Sequence, residues 1–140
     1  MTENEKLDLL YQENAKVAAI FWEWRYKLMA SFFAVSAALF ALAGWFYQQS
    51  ELRVLLFAPL ALGAIFCLTL FVLDFRNAAI LRECYRIGEE LEIKLYGEGA
   101  IFKSIGAPHS VTYTVILRSV YAGVGLLLLV LSYRAYQLFR

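Results

Sequence analysis

Two stretches of nearly unbroken apolar sequence, residues 28–47 and 54–73, constrain this chain more than any other feature. Each has roughly the 20 residues that an α-helix needs to cross a hydrocarbon core of about 30 Å. Between them lies one short polar link, Gln48-Gln49-Ser50-Glu51-Leu52-Arg53. In lipid every backbone polar group must be satisfied within the protein, so an apolar hairpin of this kind has to be helical. The expected fold class is an all-α integral membrane protein built on a long antiparallel helical hairpin.

The hairpin extends beyond its apolar part on both sides. Upstream, Leu7, Leu10, Asn14, Val17, Phe21, Trp24 and Leu28 alternate steps of three and four, the pattern of a coiled-coil seam with one polar member. No glycine or proline interrupts residues 7–43, which favours one helix running into the first span; an amphipathic helix lying on the membrane is the alternative. Downstream, Ile80, Cys84, Ile87, Leu91 and Leu95 recur with the same period until Gly97 and Gly99 end the run. Folding about Glu51 pairs Leu7 with Leu95, Leu10 with Leu91, Asn14 with Ile87, Val17 with Cys84 and Phe21 with Ile80. The paired numbers sum to 101 or 102 throughout. The predicted stalk is therefore 7–27 against 75–96, with its seam at Leu10, Asn14, Val17, Phe21, Ile80, Cys84, Ile87 and Leu91.

A third apolar stretch follows a turn-rich connection at 97–110, in which Ile101, Phe102 and Ile105 are candidates to dip into the membrane interface. Residues 111–133 are long enough to span if Arg118 reaches for the surface, a re-entrant or interfacial helix being the alternative. The expected organisation is a single membrane domain over 1–140 with transmembrane helices at 28–48, 53–74 and 111–133. The chain is 61% hydrophobic, well above the roughly 45–50% of soluble domains, which accords with three spans. The apolar run lies too far from the start to read as a cleavable secretory leader.

Lys6, Lys16, Arg25, Lys27, Arg76, Arg82, Arg86, Lys94 and Lys103 all fall on the stalk side, and Arg53 stands alone in the opposite loop. The positive-inside bias then makes the stalk and the N-terminus cytoplasmic. Trp22, Trp24 and Tyr26 on one side and Trp45 and Tyr47 on the other read as aromatic belts.

Catalytic and metal patterns are absent from the sequence. The single histidine, His109, sits in a proline-containing loop, and Cys67 and Cys84 have no metal-ligand or disulfide spacing. No metal, cofactor or enzymatic activity is expected, and a net charge of +1 offers duplex nucleic acid no basic surface. The densest polar cluster is Glu23, Arg25, Lys27, Asp74 and Arg76, where the hairpin register sets Lys27 beside Asp74 and Arg25 beside Arg76. Facing cations need an anion, which Glu23, Asp74, a lipid phosphate or a ligand phosphate could supply; a positive-inside anchor with lipid headgroups is the alternative reading. Arg25, Lys27, Arg76, Arg82 and Arg86 are thus the candidate regulator-binding residues. On the first span Ala30, Ala34, Ala37, Ala41 and Gly44 form a smooth face for close helix approach, either between copies or within one chain.

The segments Trp22-Glu23-Trp24-Arg25-Tyr26-Lys27 and Asp74-Phe75-Arg76-Asn77, with Arg82 through Glu92, give the chain a layout that resembles the small bacterial SLATT-like membrane effectors of nucleotide-signalling anti-phage defence. The likeness covers about residues 7–96 and is one of architecture; the third span is an addition to the two-span pattern. It implies a homo-oligomeric inner-membrane effector, a gated pore or ion channel that depolarises the membrane when a cytoplasmic nucleotidyltransferase or its nucleotide product signals. A non-conducting membrane anchor for a cytoplasmic partner is the second expectation.

Overall fold

A computed structural model of the chain describes residues 2–97, 99, 101–105 and 109–139, the side chains of 105 and 109–112 excepted. His109 and the candidate Ile105 therefore lie, in their side chains, outside the described residues. Among the described residues there is no strand. Helix α1 is Glu3–Gln48, a 3-10 segment covers Ser50–Leu55, α2 is Phe57–Tyr96, α3 is the short Ile101–Ile105 and α4 is His109–Phe139. Three of these helices are long and apolar enough to cross a membrane, the make-up of an all-α multi-pass membrane protein.

Local chemistry explains the helix ends. Thr2 and Glu5 form a reciprocal capping box: Glu5 N–H donates to Thr2 Oγ1 at 3.3 Å and Thr2 N–H donates to Glu5 Oε2 at 2.6 Å. The first turn of α1 is thus pinned. Pro59 sits in the first turn of α2, whose N–H groups have no partner within the helix, so its missing N–H costs nothing. Gly97 closes α2 with φ of +83°, its N–H donating to the Ile93 carbonyl at 3.0 Å, the left-handed stop that glycine adopts without strain.

The chain divides into two compact units, Met1–Tyr26 with Asp74–Ile116 and Lys27–Leu73 with Leu117–Arg140. In the first, Ala18, Leu81 and Cys84 form a buried centre packed by Phe21, Trp22, Ile80 and Tyr85. The antiparallel pairing of α1 and α2 is close to the predicted register. Asn14 Nδ2 donates to the Cys84 carbonyl at 2.8 Å and Tyr11 Oη donates to Glu92 at 3.1 Å.

The predicted seam needs one correction. Leu10 and Val17 are 56% and 38% exposed, and Ile87 is at the surface, whereas Tyr11 and Ala18 face inward. Leu7, Asn14 and Phe21 belong equally to a seam through 10, 17 and 24 and to one through 11, 18 and 25. Polar partners choose between them, because Tyr11 meets Glu92 and Arg25 meets Asp74 only on the second flank. Ile80, Cys84 and Leu91 keep buried or half-buried positions.

In the second unit Phe32, Ala43, Leu60, Ala64, Cys67, Leu70, Tyr121 and Leu128 are buried. Phe32 packs edge-on against Tyr121 with centroids 5.1 Å apart, and Ser132 Oγ donates to the Phe57 carbonyl at 2.9 Å. Ala30, Ala34, Ala37, Ala41 and Gly44 all lie on the exposed side of α1. The inward side is formed by Leu28, Phe32, Val35, Leu39 and Ala43.

Candidate functional site: a buried ion pair joining three helices

Arg25 stands one residue before the end of the α1 portion of the first unit, Asp74 begins its α2 portion, and Thr114 lies in its part of α4. Arg25 donates from Nε and Nη2 to Asp74 Oδ1 at 3.0 and 2.8 Å, and from Nη2 to Thr114 Oγ1 at 3.0 Å. Both ions are withdrawn from the surface, Arg25 at 3% exposure and Asp74 at 1%. The guanidinium carbon lies 5.6 Å from the Trp22 ring and 5.4 Å from that of Tyr113, close enough for cation–π attraction to both. Trp22 Nε1 in turn donates to Tyr85 Oη, which fixes one wall.

Such a pair is a poor source of net stability. Desolvating two ions largely offsets their attraction, yet removing one partner typically costs about 3–5 kcal/mol, because the other is left buried with its charge uncompensated. The arrangement ties α1, α2 and α4 together within the first unit, and breaking it is energetically steep.

This geometry corrects the predicted cluster. Arg25 pairs with Asp74, where the predicted register sets Lys27 beside that carboxylate and faces Arg25 with Arg76. The register shifts because Arg25 and Asp74 fall on the inward flank, while Lys27 and Arg76 are exposed. Arg82 is exposed, with Nε donating to the Ala78 carbonyl at 3.3 Å. Arg86 is exposed and held between Glu83 and Glu90 on its own helix. Its hydrogen bond holds the Glu83 carboxyl below the ordinary range, and Glu83 raises the Arg86 guanidinium.

A second buried carboxylate organises the connection between α2 and α4. Glu92, 2% exposed, accepts from the backbone N–H of Ile101 at 3.1 Å, from that of Phe102 at 3.2 Å and from Tyr11 Oη. Phe102 is buried, its ring lying over Gly88 and edge-on to Tyr11 with centroids 5.5 Å apart. Of the three residues predicted as candidates for the membrane interface, Phe102 packs inside the first unit, because a glycine opposite it leaves room for a ring. Burial raises the phenols of Tyr11 and Tyr85, Glu92 adding to the first, and burial also raises the Cys84 thiol, which disfavours the reactive thiolate. No group of side chains suited to a metal ion occurs among the described residues.

Trp22, Tyr85, Glu92, Phe102, Tyr113 and Thr114 were not singled out as a site by sequence reasoning. The i, i+3 spacing of Trp22 and Arg25 on one helix face is a signal for part of it. Nothing local ties Thr114 to Arg25 across 89 positions. Comparisons of the chain with protein-family models, with curated proteins and with solved structures find no match.

Proposed function

We propose that the chain is a self-associating membrane effector whose permeability is set by the Arg25–Asp74–Thr114 latch. The observation that carries this reading is the latch itself. An ion pair buried at the edge of apolar helices is costly, adds little net stability, and marks a functional position in a membrane protein by default. The small-residue face of α1 supports self-association, since Ala30, Ala34, Ala37, Ala41 and Gly44 remain exposed after the chain has packed. The resemblance to SLATT-like effectors supplies the biological setting: a bacterial inner membrane, the first unit on the cytoplasmic side, and a nucleotide-linked signal in anti-phage defence. The lysine and arginine bias supports that orientation. An anionic regulator would address exposed Arg76 and Arg82; Arg25 is occupied by Asp74, and Arg86 is neutralised by its two glutamates.

The test is a potential-sensitive dye in cells expressing the wild type, Asp74→Asn, or the apolar pair Arg25→Met with Asp74→Leu. Asp74→Asn is expected to depolarise the membrane without any signal, and the apolar pair to hold the potential. An unchanged potential in every strain, with the proteins present in the membrane, refutes the reading.

A second reading, a non-conducting anchor for a cytoplasmic protein, is favoured by one feature of the first unit. Leu10, Ile20 and Trp24 of α1 are each about half exposed, an apolar strip outside the spans. Under this reading Leu10→Asp abolishes co-purification of a partner and leaves the membrane potential alone.

A further inference from the structure

Within the second unit, α2 and α4 enclose a lateral groove of about 390 Å³. Its floor is made of small residues, Ala61 and Ala64 of α2 with Ala122 and Gly125 of α4. Its walls are larger apolar side chains, chiefly Leu68 and Leu129. The concavity follows from close helix approach: a Cβ built on Gly125 would stand only 3.1 Å from Cys67 Cβ, so the two backbones meet there and the flanking leucines rise on either side. Lining residues run from Ala61 to Phe71 on α2 and from Tyr121 to Ser132 on α4.

We infer that this groove is a binding site for one acyl chain of a membrane phospholipid, a site independent of the latch and of whether the protein conducts. Three observations select this occupant. The groove lies on helices long and apolar enough to cross a membrane, so hydrocarbon is the medium that meets it. Its volume matches: a methylene takes about the space of one water, roughly 30 Å³, so the groove accommodates on the order of a dozen carbons. Its length also matches, because ten or eleven helical steps at about 1.5 Å each give some 15–17 Å. That is about half of a hydrocarbon core of roughly 30 Å, the depth of one leaflet. The lining is apolar apart from the hydroxyls of Tyr121 and Ser132, and Ser132 already donates to the Phe57 carbonyl. The groove therefore grips the tail and leaves the headgroup unread. A chain seated there exchanges the loose packing of bilayer tails for fixed contacts with the lining of α2 and α4, so it leaves more slowly than the surrounding lipid.

Native mass spectrometry of the full chain, released from phosphatidylethanolamine–phosphatidylglycerol nanodiscs by increasing collisional energy, tests the assignment. Ala61→Leu and Ala122→Leu place extra carbons in the groove, and Ala79→Leu adds the same group to an exposed position of α2 outside the groove. Wild type and Ala79→Leu are expected to retain one phospholipid per protomer after the remaining lipid is stripped. Each groove variant should reduce that adduct about tenfold, the equilibrium effect of displacing roughly two buried methylenes. The inference is overturned by a wild type that retains no adduct, by a phospholipid adduct insensitive to the groove variants, or by an adduct with the mass of a free fatty acid. It is also overturned if the groove variants abolish a dimer mass instead, which would assign the groove to a second copy. Retention of α-helical circular dichroism by both groove variants confirms that each is folded.

Discussion

Gly88→Ala is the sharpest probe of how the connection between α2 and α4 is held. An added Cβ would stand 2.5 Å from Phe102 Cγ and 2.6 Å from both Cδ atoms. Carbon–carbon contacts are optimal at about 3.5–4.0 Å, so the ring must retreat by roughly 1 Å. It has little room, because Tyr11 packs against it at 5.5 Å between centroids and its own backbone N–H is tied to Glu92. Replacing glycine by alanine inside a helix is worth about 1 kcal/mol in favour of the variant. Overpacking costs about 1–3 kcal/mol. If the ring is expelled, Glu92 also loses buried donors at about 1–3 kcal/mol. The balance is a net loss of about 2 kcal/mol, read as a lower unfolding midpoint in detergent by intrinsic fluorescence. Phe102→Ala alone is expected to cost about 3 kcal/mol or more. In that background Gly88→Ala should become stabilising by about 1 kcal/mol, since only the helix preference remains. A Gly88→Ala variant that is as stable as the wild type, or more so, would refute the packing argument.

Two further outcomes follow from the first unit. Tyr11 has its phenol pushed above the ordinary value of about 10, so its neutral form contributes stability in full below that pH and loses it as pH rises through the raised value. Unfolding midpoints taken from pH 8 to 11 should therefore fall at the alkaline end, and fall less in Tyr11→Phe; superimposable profiles would count against the Tyr11–Glu92 contact. The inward flank of α1 is tested by contrast: Leu10→Gln should change stability by less than about 0.5 kcal/mol, whereas Ala18→Leu should cost about 1–3 kcal/mol. Equal effects would mean that α1 faces α2 by another flank.

Much of the fold is legible in the residues. Two spans of the right length, a six-residue polar link and a glycine stop announce the hairpin, and periodicity on both flanks gives an approximate register. Hydrophobicity does not choose the flank of α1. Leu10, Val17 and Trp24 are more apolar than Tyr11, Ala18 and Arg25, and the less apolar set is the one that faces α2. What decides is long-range polar complementarity: Arg25 with Asp74, 49 positions away, and Tyr11 with Glu92, 81 positions away. A periodicity argument scores each position alone and cannot see that two unfavourable burials cancel. The site was half visible for the same reason. Arg25 and Asp74 belong to the dense charge cluster in the sequence, where Asp74 is one of the anions offered to the facing cations, but pairing by a single register number sets Arg25 beside Arg76 and only the structure brings it onto Asp74. The seat of Phe102 was hidden because Gly88 reads as a weak helix residue until something large is found lying on it.

The clamp on α3 has a mechanical consequence. Phe102 is seated on Gly88, and Glu92 holds two backbone N–H groups at the start of the helix. The short helix is thus buttoned to α2 at one end, and lifting it must first unseat one aromatic ring and strip a buried carboxylate of its donors.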